Sequence, residues 1–445
     1  MNFKRMKTLL LELAIHGKLV PQMTEEGQVK SSIDGPFELP NTWGWRKFED
    51  VLFFENGDRG SNYPAKSTLT RDPSSGHPFV SAINLNNGRI CSDDLLYLSV
   101  EQKQKLRSGH IKAGDCLFCI RGSLGKFGFA EADGGAIASS LVILRKKDAA
   151  TIREEFLAYV LQSPFFAQCI EDRSNGTAQP NLGAKELKGF PFPVPPLQEQ
   201  ARIVAKLEES LAEIDRAEKA YQELQTLSSV LRGQILQEAI QGKLGPQLEE
   251  EGAVKSSVEG PFELPKSWGW QKFEDVLLFE NGDRGANYPA KSTLTQDPIS
   301  GHPFVSAINL KNGHIDKDGL LYLSTEQQKK LRSGHIKSGD CLFCIRGSLG
   351  KFGFAKTDGG AIASSLVILR RKAPTTLREK FLSYLLQSPF FDQCIKDRSN
   401  GTAQPNLGAK ELKGFFFPLP PVQEQDRIVA KVEELLKQVD ALSGK

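Results

Sequence analysis

The sequence lacks the features that mark membrane and secreted proteins. No apolar run approaches the roughly 20 residues that a membrane-spanning helix needs. Residues 1–20 carry charges throughout and have no small-residue cleavage site, which predicts that there is no signal peptide. Only seven cysteines occur among 445 residues, an odd number that is typical of reduced thiols rather than of a disulfide framework. We therefore expect a soluble protein of the cytoplasm.

An excess of one charge is also absent. Lys and Arg together number 57 and Asp and Glu 54, a formal net charge of +3. This balance permits a nucleic-acid partner without arguing for one, because a phosphate-binding face can be basic while the rest of the protein is neutral. The length allows about three domain-sized units with real cores.

Motifs for nucleotide and cofactor chemistry are missing as well. Gly125-Lys126 imitates the end of a Walker A loop, but Phe127 follows where Ser or Thr is required, and Ile120 stands where the first glycine belongs. We find no FxGxG segment of the kind that binds S-adenosylmethionine and no NPPY-type motif for base methylation. These patterns support no nucleotide site.

Two further patterns imitate metal sites. Cys116 and Cys119 have CxxC spacing, but the run CLFCI favours a buried strand, in which side chains i and i+3 point to opposite faces. We therefore interpret them as core residues rather than zinc ligands. Asp172 followed by Glu186 and Lys188 imitates the D…ExK site of metal nucleases, but Glu186 leads into a helical turn rather than a strand. Solvated surface charge is the favoured interpretation, and we expect no metal site.

What the sequence does contain is a long internal repeat. Shifted by 225 residues it nearly superimposes on itself: DCLFCIRGSLGKFGFA occurs at 115–130 and again at 340–355. Between 101–145 and 326–370 only five of 45 positions differ. A period this long indicates a duplicated domain with its connector rather than a solenoid unit. We therefore expect a pseudo-twofold molecule with two equivalent units.

The connector between the copies predicts a long helix. Pro195-Pro196 precede it and Gly242 follows it, at positions typical of a helix start and stop. We expect antiparallel coiled-coil rods, with an N-terminal helix at about residues 2–16 completing the shorter C-terminal copy. The predicted heptad stripe is Leu207, Ser210, Ile214, Ala217, Tyr221, Leu224, Ser228, Leu231 and Ile235, continued in the second copy by Ile428, Val432, Leu435, Val439 and Leu442.

The segments between the helices predict two similar, strand-rich α+β domains. Each has short apolar runs bounded by turn signals such as NG and DGG, with one helical stretch late in the domain, at 153–173 in the first copy. The predicted division is an N-terminal helix at 1–16, a first domain at 17–197, a central spacer helix at 198–241, a second domain at 242–422 and a C-terminal helix at 423–445.

The loops of each domain are rich in the polar residue types that hold phosphates and read base edges. Glycines interleaved with them let the backbone approach a partner closely. Two copies on a helical spacer suit a long, regular ligand such as DNA. The candidates in the first copy are Arg59, Asn62, Lys66, Ser81, Asn84, Arg121, Ser123, Lys126, Asn175, Gln179, Asn181 and Lys185. Their counterparts are Arg284, Asn287, Lys291, Ser306, Asn309, Arg346, Ser348, Lys351, Asn400, Gln404, Asn406 and Lys410.

The organisation resembles the specificity (S) subunits of type I restriction–modification systems over nearly the whole chain. The resemblance is carried by the domain opening WGWRKFEDVLFFENGDRG, the segment GDCLFCIRGSLGKFGFA and the junction PPLQEQARIVAKLEE, which recurs as PPVQEQDRIVAKVEE. The motifs AIHGKLVPQ and AIQGKLGPQ at the helix ends add to it.

This resemblance implies two target recognition domains, each reading one half of a bipartite site in double-stranded DNA, with helices that set the spacer. It also implies that this chain is not catalytic. Two modification (methyltransferase) subunits, which carry S-adenosylmethionine, would dock on the helices. Restriction/translocase subunits would bring ATP, Mg²⁺ and cleavage, so that no cofactor is expected on this chain.

The sequence departs from the family in one respect, because the two recognition domains of such subunits commonly differ and here they are nearly the same. Our hypothesis is that both read the same short sequence in opposite orientations, which gives an interrupted, near-palindromic target. A bivalent protein-interaction scaffold without DNA specificity remains the alternative. The differences that could break the symmetry are Asn86/Lys311, Arg89/His314, Cys91/Asp316, Ser92/Lys317, Asp94/Gly319 and Glu131/Lys356.

Overall fold

The computed structural model describes residues 2–174, 180–299, 301–311, 313–399 and 405–444 of the chain. The chain divides into two compact units, Met1–Ala220 and Tyr221–Lys445, which we call unit 1 and unit 2. The boundary falls inside the central helix, so each unit holds one copy of the repeat with helical segments before and after its mixed domain. Among the described residues, no helix is both long and apolar enough to span a membrane.

Unit 1 and the central helix contain the first half of the elements. The helices are α1 (Phe3–Ile15), α2 (Phe48–Val51), α3 (Val100–Lys105), α4 (Glu154–Gln162), α5 (Pro164–Arg173), α6 (Ala184–Lys188) and α7 (Leu197–Ile240). The strands are β1 (Gly44–Lys47), β2 (Leu52–Asn56), β3 (His77–Val80), β4 (Leu85–Asn86), β5 (Arg89–Ile90), β6 (Leu96–Leu98), β7 (Cys116–Cys119), β8 (Phe127–Phe129), β9 (Ala136–Ile137), β10 (Leu141–Lys146) and β11 (Pro191–Val194).

Unit 2 repeats this order after the central helix. Its helices are α8 (Phe273–Val276), α9 (Thr325–Lys330), α10 (Glu379–Leu386), α11 (Pro389–Arg398), α12 (Ala409–Lys413) and α13 (Val422–Ser443). Its strands are β12 (Gly269–Lys272), β13 (Leu277–Asn281), β14 (His302–Val305), β15 (Leu310–Lys311), β16 (His314–Ile315), β17 (Leu321–Leu323), β18 (Cys341–Cys344), β19 (Phe352–Phe354), β20 (Ala361–Ile362), β21 (Leu366–Arg371) and β22 (Phe416–Leu419).

A four-stranded antiparallel sheet forms the centre of each unit. The order is β2-β10-β7-β8 in unit 1 and β13-β21-β18-β19 in unit 2. The central strands are buried on both faces, and alternate side chains therefore join different cores. Cys116 packs with the helical side, which includes Phe156, whereas Cys119 packs with the side that includes Val80. The prediction that these cysteines are strand core on opposite faces is confirmed.

A smaller sheet and a hairpin complete the mixed domain. The smaller sheet has the order β6-β3-β9, with β3 and β9 parallel. The β4–β5 hairpin extends the main sheet, because the N–H of Gly88 donates to the carbonyl of Phe127 at 3.1 Å and the N–H of Phe129 donates back to Gly88 at 3.0 Å. The predicted α+β class is confirmed.

The late helical stretch is two helices rather than the single one predicted. The chain breaks between α4 and α5 at Ser163-Pro164 because proline lacks an N–H and disfavours helical geometry in the residue before it. The Ser163 hydroxyl donates to the carbonyl of Val160 at 2.6 Å and accepts from the N–H of Phe166 at 3.2 Å. One serine thus caps both helices, and Ser388 does the same in unit 2.

The central helix α7 agrees with the predicted span to within one residue at each end. Its stripe is buried at Leu207, Ser228 and Ile235, but Ala217 and Leu231 are exposed, as is Leu442 on α13. Coiled-coil contacts therefore weaken at those three positions.

Each unit pairs its two helical segments. In unit 1 Lys7 on α1 forms ion pairs with Asp215 and Glu218 of α7, both at 2.7 Å. In unit 2 Gln225 donates to the carbonyl of Ser443 at 3.3 Å and Arg232 pairs with Asp440, so α7 and α13 run antiparallel. The antiparallel helical pairing is confirmed.

The junction motif PPLQEQARIV fastens α7 to the mixed domain. Glu199 is fully buried and accepts from the indole N–H of Trp43 at 2.8 Å. Gln200, also fully buried, accepts from the N–H of Arg153 at 2.9 Å and donates to the carbonyls of Thr151 and Pro195, both at 3.0 Å. These hydrogen bonds fix the start of α7 to the mixed domain of unit 1.

Candidate nucleic-acid interface

Several loops leave the main sheet of unit 1 at the same edge. Because the sheet is antiparallel, the C-terminal ends of β2 and β7 lie beside the N-terminal ends of β10 and β8. The loops at these ends are 57–62, 120–126 and 138–140, and residues 180–182 bond to the second of them. We call these four segments the loop edge; the equivalent segments of unit 2 form a second loop edge.

Arg121 is held in position within the loop edge. Its backbone bridges to that of Asn181, and the N–H of Gly122 donates to the carbonyl of Pro180 at 2.9 Å. The Arg121 Nε donates to Asn181 Oδ1 at 3.2 Å, while the side chain stays exposed. In unit 2 Arg346 makes the same bond at 3.4 Å. An oriented, exposed guanidinium is a suitable donor for a guanine edge or a phosphate.

The turn after Arg121 depends on two glycines with positive φ. Gly122 has φ of 77° and Gly125 of 82°, a region that other residues rarely adopt. The turn is closed by the N–H of Gly125, which donates to the carbonyl of Cys119 at 3.2 Å, and by the N–H of Cys119, which donates to Lys126 at 2.8 Å. Ser123 and Lys126 are exposed on this turn, close in sequence to Arg121.

Arg59 lies on a loop that a buried carboxylate fixes. Asp58 is 7% exposed and accepts from the N–H groups of Arg107 at 2.8 Å and Gly60 at 2.9 Å. These hydrogen bonds stabilise the charged carboxylate and lower the pKa of Asp58, and the bond from the N–H of Arg107 has the largest effect. The exposed Arg59 donates to the carbonyl of Ser139 at 3.3 Å, and Arg284 to Ser364 in unit 2.

The segment 138–140 connects the loops and was missed by the sequence reasoning. The carbonyl of Ser139 accepts from Arg59, and the N–H of Ser139 donates to the hydroxyl oxygen of Tyr63 at 3.5 Å. The carbonyl of Ser140 accepts from the N–H of Ile120 at 2.9 Å, and the N–H of Ala138 donates to Val80 at 2.8 Å. The repeated string GGAIASSLVIL at 134–144 and 359–369 was the available signal.

Two asparagines that were predicted to contact DNA are buried, so that prediction is wrong for them. Asn84 and Asn309 are 1% exposed, so neither faces a ligand. The Asn84 Oδ1 accepts from the N–H and hydroxyl of Ser81, both at 3.0 Å, and Nδ2 donates to the carbonyl of Asp93 at 3.2 Å. Asn309 accepts from Ser306 in the same way. Each asparagine stabilises a 3₁₀ turn. The half-buried Ser81 and Ser306 donate their N–H and hydroxyl groups to it.

The remaining predicted residues lie on or beside the loop edges and do not form a single cluster. Lys66 and Lys291 are exposed on short 3₁₀ turns, Asn62 and Asn287 are half-buried, and Lys185 and Lys410 are exposed on α6 and α12. Ser348 and Lys351 are exposed on the turn of unit 2. Asn175, Gln179, Asn400 and Gln404 lie outside the described residues.

The patterns that imitate metal sites do not assemble one. No group of three or more potential ligands is found in the described ranges. Glu186 lies on helix α6, as expected, and Asp172 on α5 accepts from Gln168 at 2.7 Å. Burial disfavours the charged thiolate and is the main reason that the pKa of the Cys116 thiol is raised, as is usual for a core cysteine.

Five of the six differences named above lie on or next to the β4–β5 hairpin, and the sixth, Glu131/Lys356, follows β8 or β19. In unit 2 Lys311 and Asp316 form an ion pair, which Asn86 and Cys91 of unit 1 cannot make. Lys356 pairs with Glu379 at 3.1 Å, where unit 1 has Glu131. No residue of the described loop edges that carries a predicted donor differs between the units.

Comparison with known proteins decides what this pair of units is. The family described as "Type I restriction modification DNA specificity domain" matches twice, at residues 40–226 and 265–445, which together cover most of the chain. The chain belongs to this family. Both matches contain a complete loop edge, so this type I specificity protein carries the family domain in duplicate.

Individual relatives agree with the assignment. The EcoAI specificity subunit of Escherichia coli is 24% identical over 99% of this chain and 90% of its own length. The EcoKI specificity subunit of E. coli strain K12 is 23% identical over 86% and 80%. The solved structure of the HsdS subunit from Thermoanaerobacter tengcongensis aligns with a TM-score of 0.58 at 22% identity, covering 92% of this chain and 93% of that one. A chain solved in work on type I R-M complex assembly gives 0.68, with the same identity and coverage.

Proposed function

We propose that this protein is the sequence-specific DNA-binding subunit of a type I restriction–modification complex. Each mixed domain, 17–197 and 242–422, reads one half of a bipartite site in double-stranded DNA. The observation that carries the proposal is the loop edge, built twice with the same predicted donors, with an oriented Arg121 or Arg346 on a glycine turn. Paired, identical donors suit two similar base sequences on one duplex.

The target we propose is an interrupted, near-palindromic sequence. Support comes from the predicted donors of the two described loop edges, which are identical, although the exposed Ser61 of unit 1 is replaced by Ala286 in unit 2. Donors of the same type at the same backbone positions favour the same bases. The helices α1, α7 and α13 set the spacer, supported by the hydrogen bonds through which Glu199 and Gln200 fasten the helix to its domain.

The chemistry of the complex belongs to partner subunits in this proposal. Two modification subunits bring S-adenosylmethionine, and restriction/translocase subunits bring ATP and Mg²⁺, while this chain supplies recognition without a catalytic step. The proposal is supported by the relatives, whose names designate specificity subunits of restriction enzymes.

Methylation sequencing tests the proposal. The chain is expressed with the modification subunit from its own operon in a host that lacks other methylation, and the modified positions are mapped. We expect one interrupted motif with two half-sites related as inverted repeats. Two unrelated half-sites would refute the symmetric target but leave the DNA-binding role, whereas no sequence-dependent methylation would refute the role itself.

A binding measurement separates recognition from the scaffold alternative. The purified complex is titrated with a duplex that carries the mapped motif and with a shuffled duplex of the same composition. The expected preference for the motif is at least about a thousandfold, which is the lower range for specific DNA-binding proteins. Equal affinity for both duplexes would favour a bivalent protein scaffold.

A further inference from the structure

Each unit holds an isoleucine in solvent on a rigid turn beside its loop edge. Ile83 is 70% exposed and Ile308 is 71% exposed. Their neighbours on the turn are not exposed, since Asn84 and Leu85 are each 1% accessible and Ala82 packs against the core. The exposure therefore belongs to one side chain on a fixed turn and is not the result of a loose loop.

The turn is rigid because its polar groups are satisfied internally. Asn84 Oδ1 accepts from the N–H and hydroxyl of Ser81, both at 3.0 Å. The N–H of Cys91 donates to the carbonyl of Asn84 at 2.7 Å, which ties the turn to the strand that follows. A preorganised turn loses little conformational entropy when the isoleucine it carries meets a ligand.

The position of the turn places the isoleucine near the polar donors. Ile83 follows Val80 by three residues, which limits the distance between their Cα atoms to about 10 Å. The carbonyl of Val80 accepts from Ala138 at 2.8 Å, and the adjacent Ser139 carbonyl accepts from Arg59. The same hydrogen bond joins Val305 to Ala363 in unit 2 at 2.8 Å. Ile83 thus follows closely after a strand end that is hydrogen-bonded to the segment 138–140, which also holds Arg59.

We propose that Ile83 and Ile308 are specificity residues that contact the 5-methyl group of a thymine in each half-site. The inference rests on the proposed function. In the major groove, thymine is the base with an apolar group, and small apolar side chains recognise it. Both units keep this isoleucine within a stretch, 77–85 and 302–310, that is identical in the two copies, while the hairpin that follows changes from Asn86 to Lys311.

Deoxyuridine substitution tests the contact, because deoxyuridine differs from thymidine only by lacking that methyl group. The full chain, in complex with its modification subunits, is titrated with the target duplex and with duplexes in which single thymidines are replaced. We expect wild-type affinity to fall about fourfold at one thymine in each half-site, the value for one buried methyl group. The double variant Ile83→Ala/Ile308→Ala should bind the thymidine duplex more weakly and no longer distinguish the two duplexes at that position.

Ile299→Ala is the matched control. Ile299 is 93% exposed in unit 2 but precedes β14, whereas Ile308 follows it, and unit 1 has Ser74 at the equivalent position. This variant should keep the wild-type response to deoxyuridine. A target without thymine in its half-sites overturns the inference, as does a double variant that retains the thymidine preference. Failure of the wild-type complex to select any sequence would instead refute the proposed function.

Discussion

Replacement of Arg121 by alanine tests whether the loop edge reads DNA. The expected loss in free energy of unfolding is smaller than the expected loss in free energy of DNA binding. Arg121 is exposed, and its side chain bonds to the fold through Nε and Asn181 Oδ1 at 3.2 Å. An ordinary hydrogen bond contributes about 0.5–1.5 kcal/mol, so the free energy of unfolding should fall by no more than that. An arginine that pairs with a base contributes about 1–3 kcal/mol of binding, or about 5- to 150-fold in Kd.

Fluorescence anisotropy of the assembled complex separates the two kinds of contact that Arg121 can make. Wild type and Arg121→Ala are titrated against the mapped target and against duplexes with single base-pair changes, each at several salt concentrations. If Arg121 reads a base, the variant loses discrimination at one position of one half-site. If it holds a phosphate, discrimination is unchanged and the salt slope of log K falls by about 0.9.

Two controls make the result interpretable. Arg346→Ala should reproduce the loss at the other half-site, because Arg346 has the same bond to Asn406. Arg71→Ala should change neither stability nor specificity by a comparable amount, since Arg71 is exposed and pairs with Asp94 away from the described loop edge. An Arg121→Ala complex with the wild-type Kd, base preference and salt slope would refute the assignment of the loop edge.

The remaining predictions concern the junction of helix and domain. Gln200→Ala leaves buried partners unsatisfied, among them the N–H of Arg153, and should lower the free energy of unfolding in urea by about 2–5 kcal/mol, whereas the exposed Gln198→Ala should not. Burial, the first cause, raises the pKa of Glu199, so its charged form destabilises the folded unit; Glu199→Gln, which keeps an acceptor for Trp43, should gain stability over wild type at neutral pH. That gain should disappear as pH falls through the folded pKa of Glu199 towards its unfolded value. Thermal unfolding of both proteins between pH 4 and 8 checks this, and a stability difference that stayed constant over that range would contradict it. Insertion of seven residues into α7, about 10 Å of helix, should lengthen the mapped spacer, and an unchanged spacer would contradict its role as a ruler.

The elements that sequence patterns predicted are those governed by local periodicity. The span of α7 follows from proline before it, glycine after it and an apolar stripe between, and the structure agrees to within one residue at each end. The two cysteines of β7 follow from a continuous apolar run, which predicts a strand buried on both faces. Neither inference needs knowledge of distant contacts.

Burial of polar residues could not be predicted from the same patterns. Asparagine is a polar residue that is usually exposed in turns, and Asn84 was expected in solvent, but it is buried and its amide forms hydrogen bonds with Ser81 and Asp93. The role of Ser139 depends on the pairing of β3 with β9, which is formed between residues more than fifty positions apart. Such placements result from topology, which a single sequence does not specify.

The duplication itself separates what the two units share from what distinguishes them. The predicted donors of the described loop edges are identical, whereas Ser61 of unit 1 is Ala286 in unit 2 and the six positions named above also differ. At those positions, together with Arg71, which pairs with Asp94 and is Gln296 in unit 2, two Arg, one Asp and one Glu give unit 1 a net charge of zero, while three Lys and one Asp give unit 2 a net charge of +2, with His neutral. Extra positive charge strengthens binding to any phosphate backbone and carries no base information. The two units are therefore expected to share the base contacts of their identical donors, with unit 2 holding its half-site more tightly and with the steeper dependence on salt.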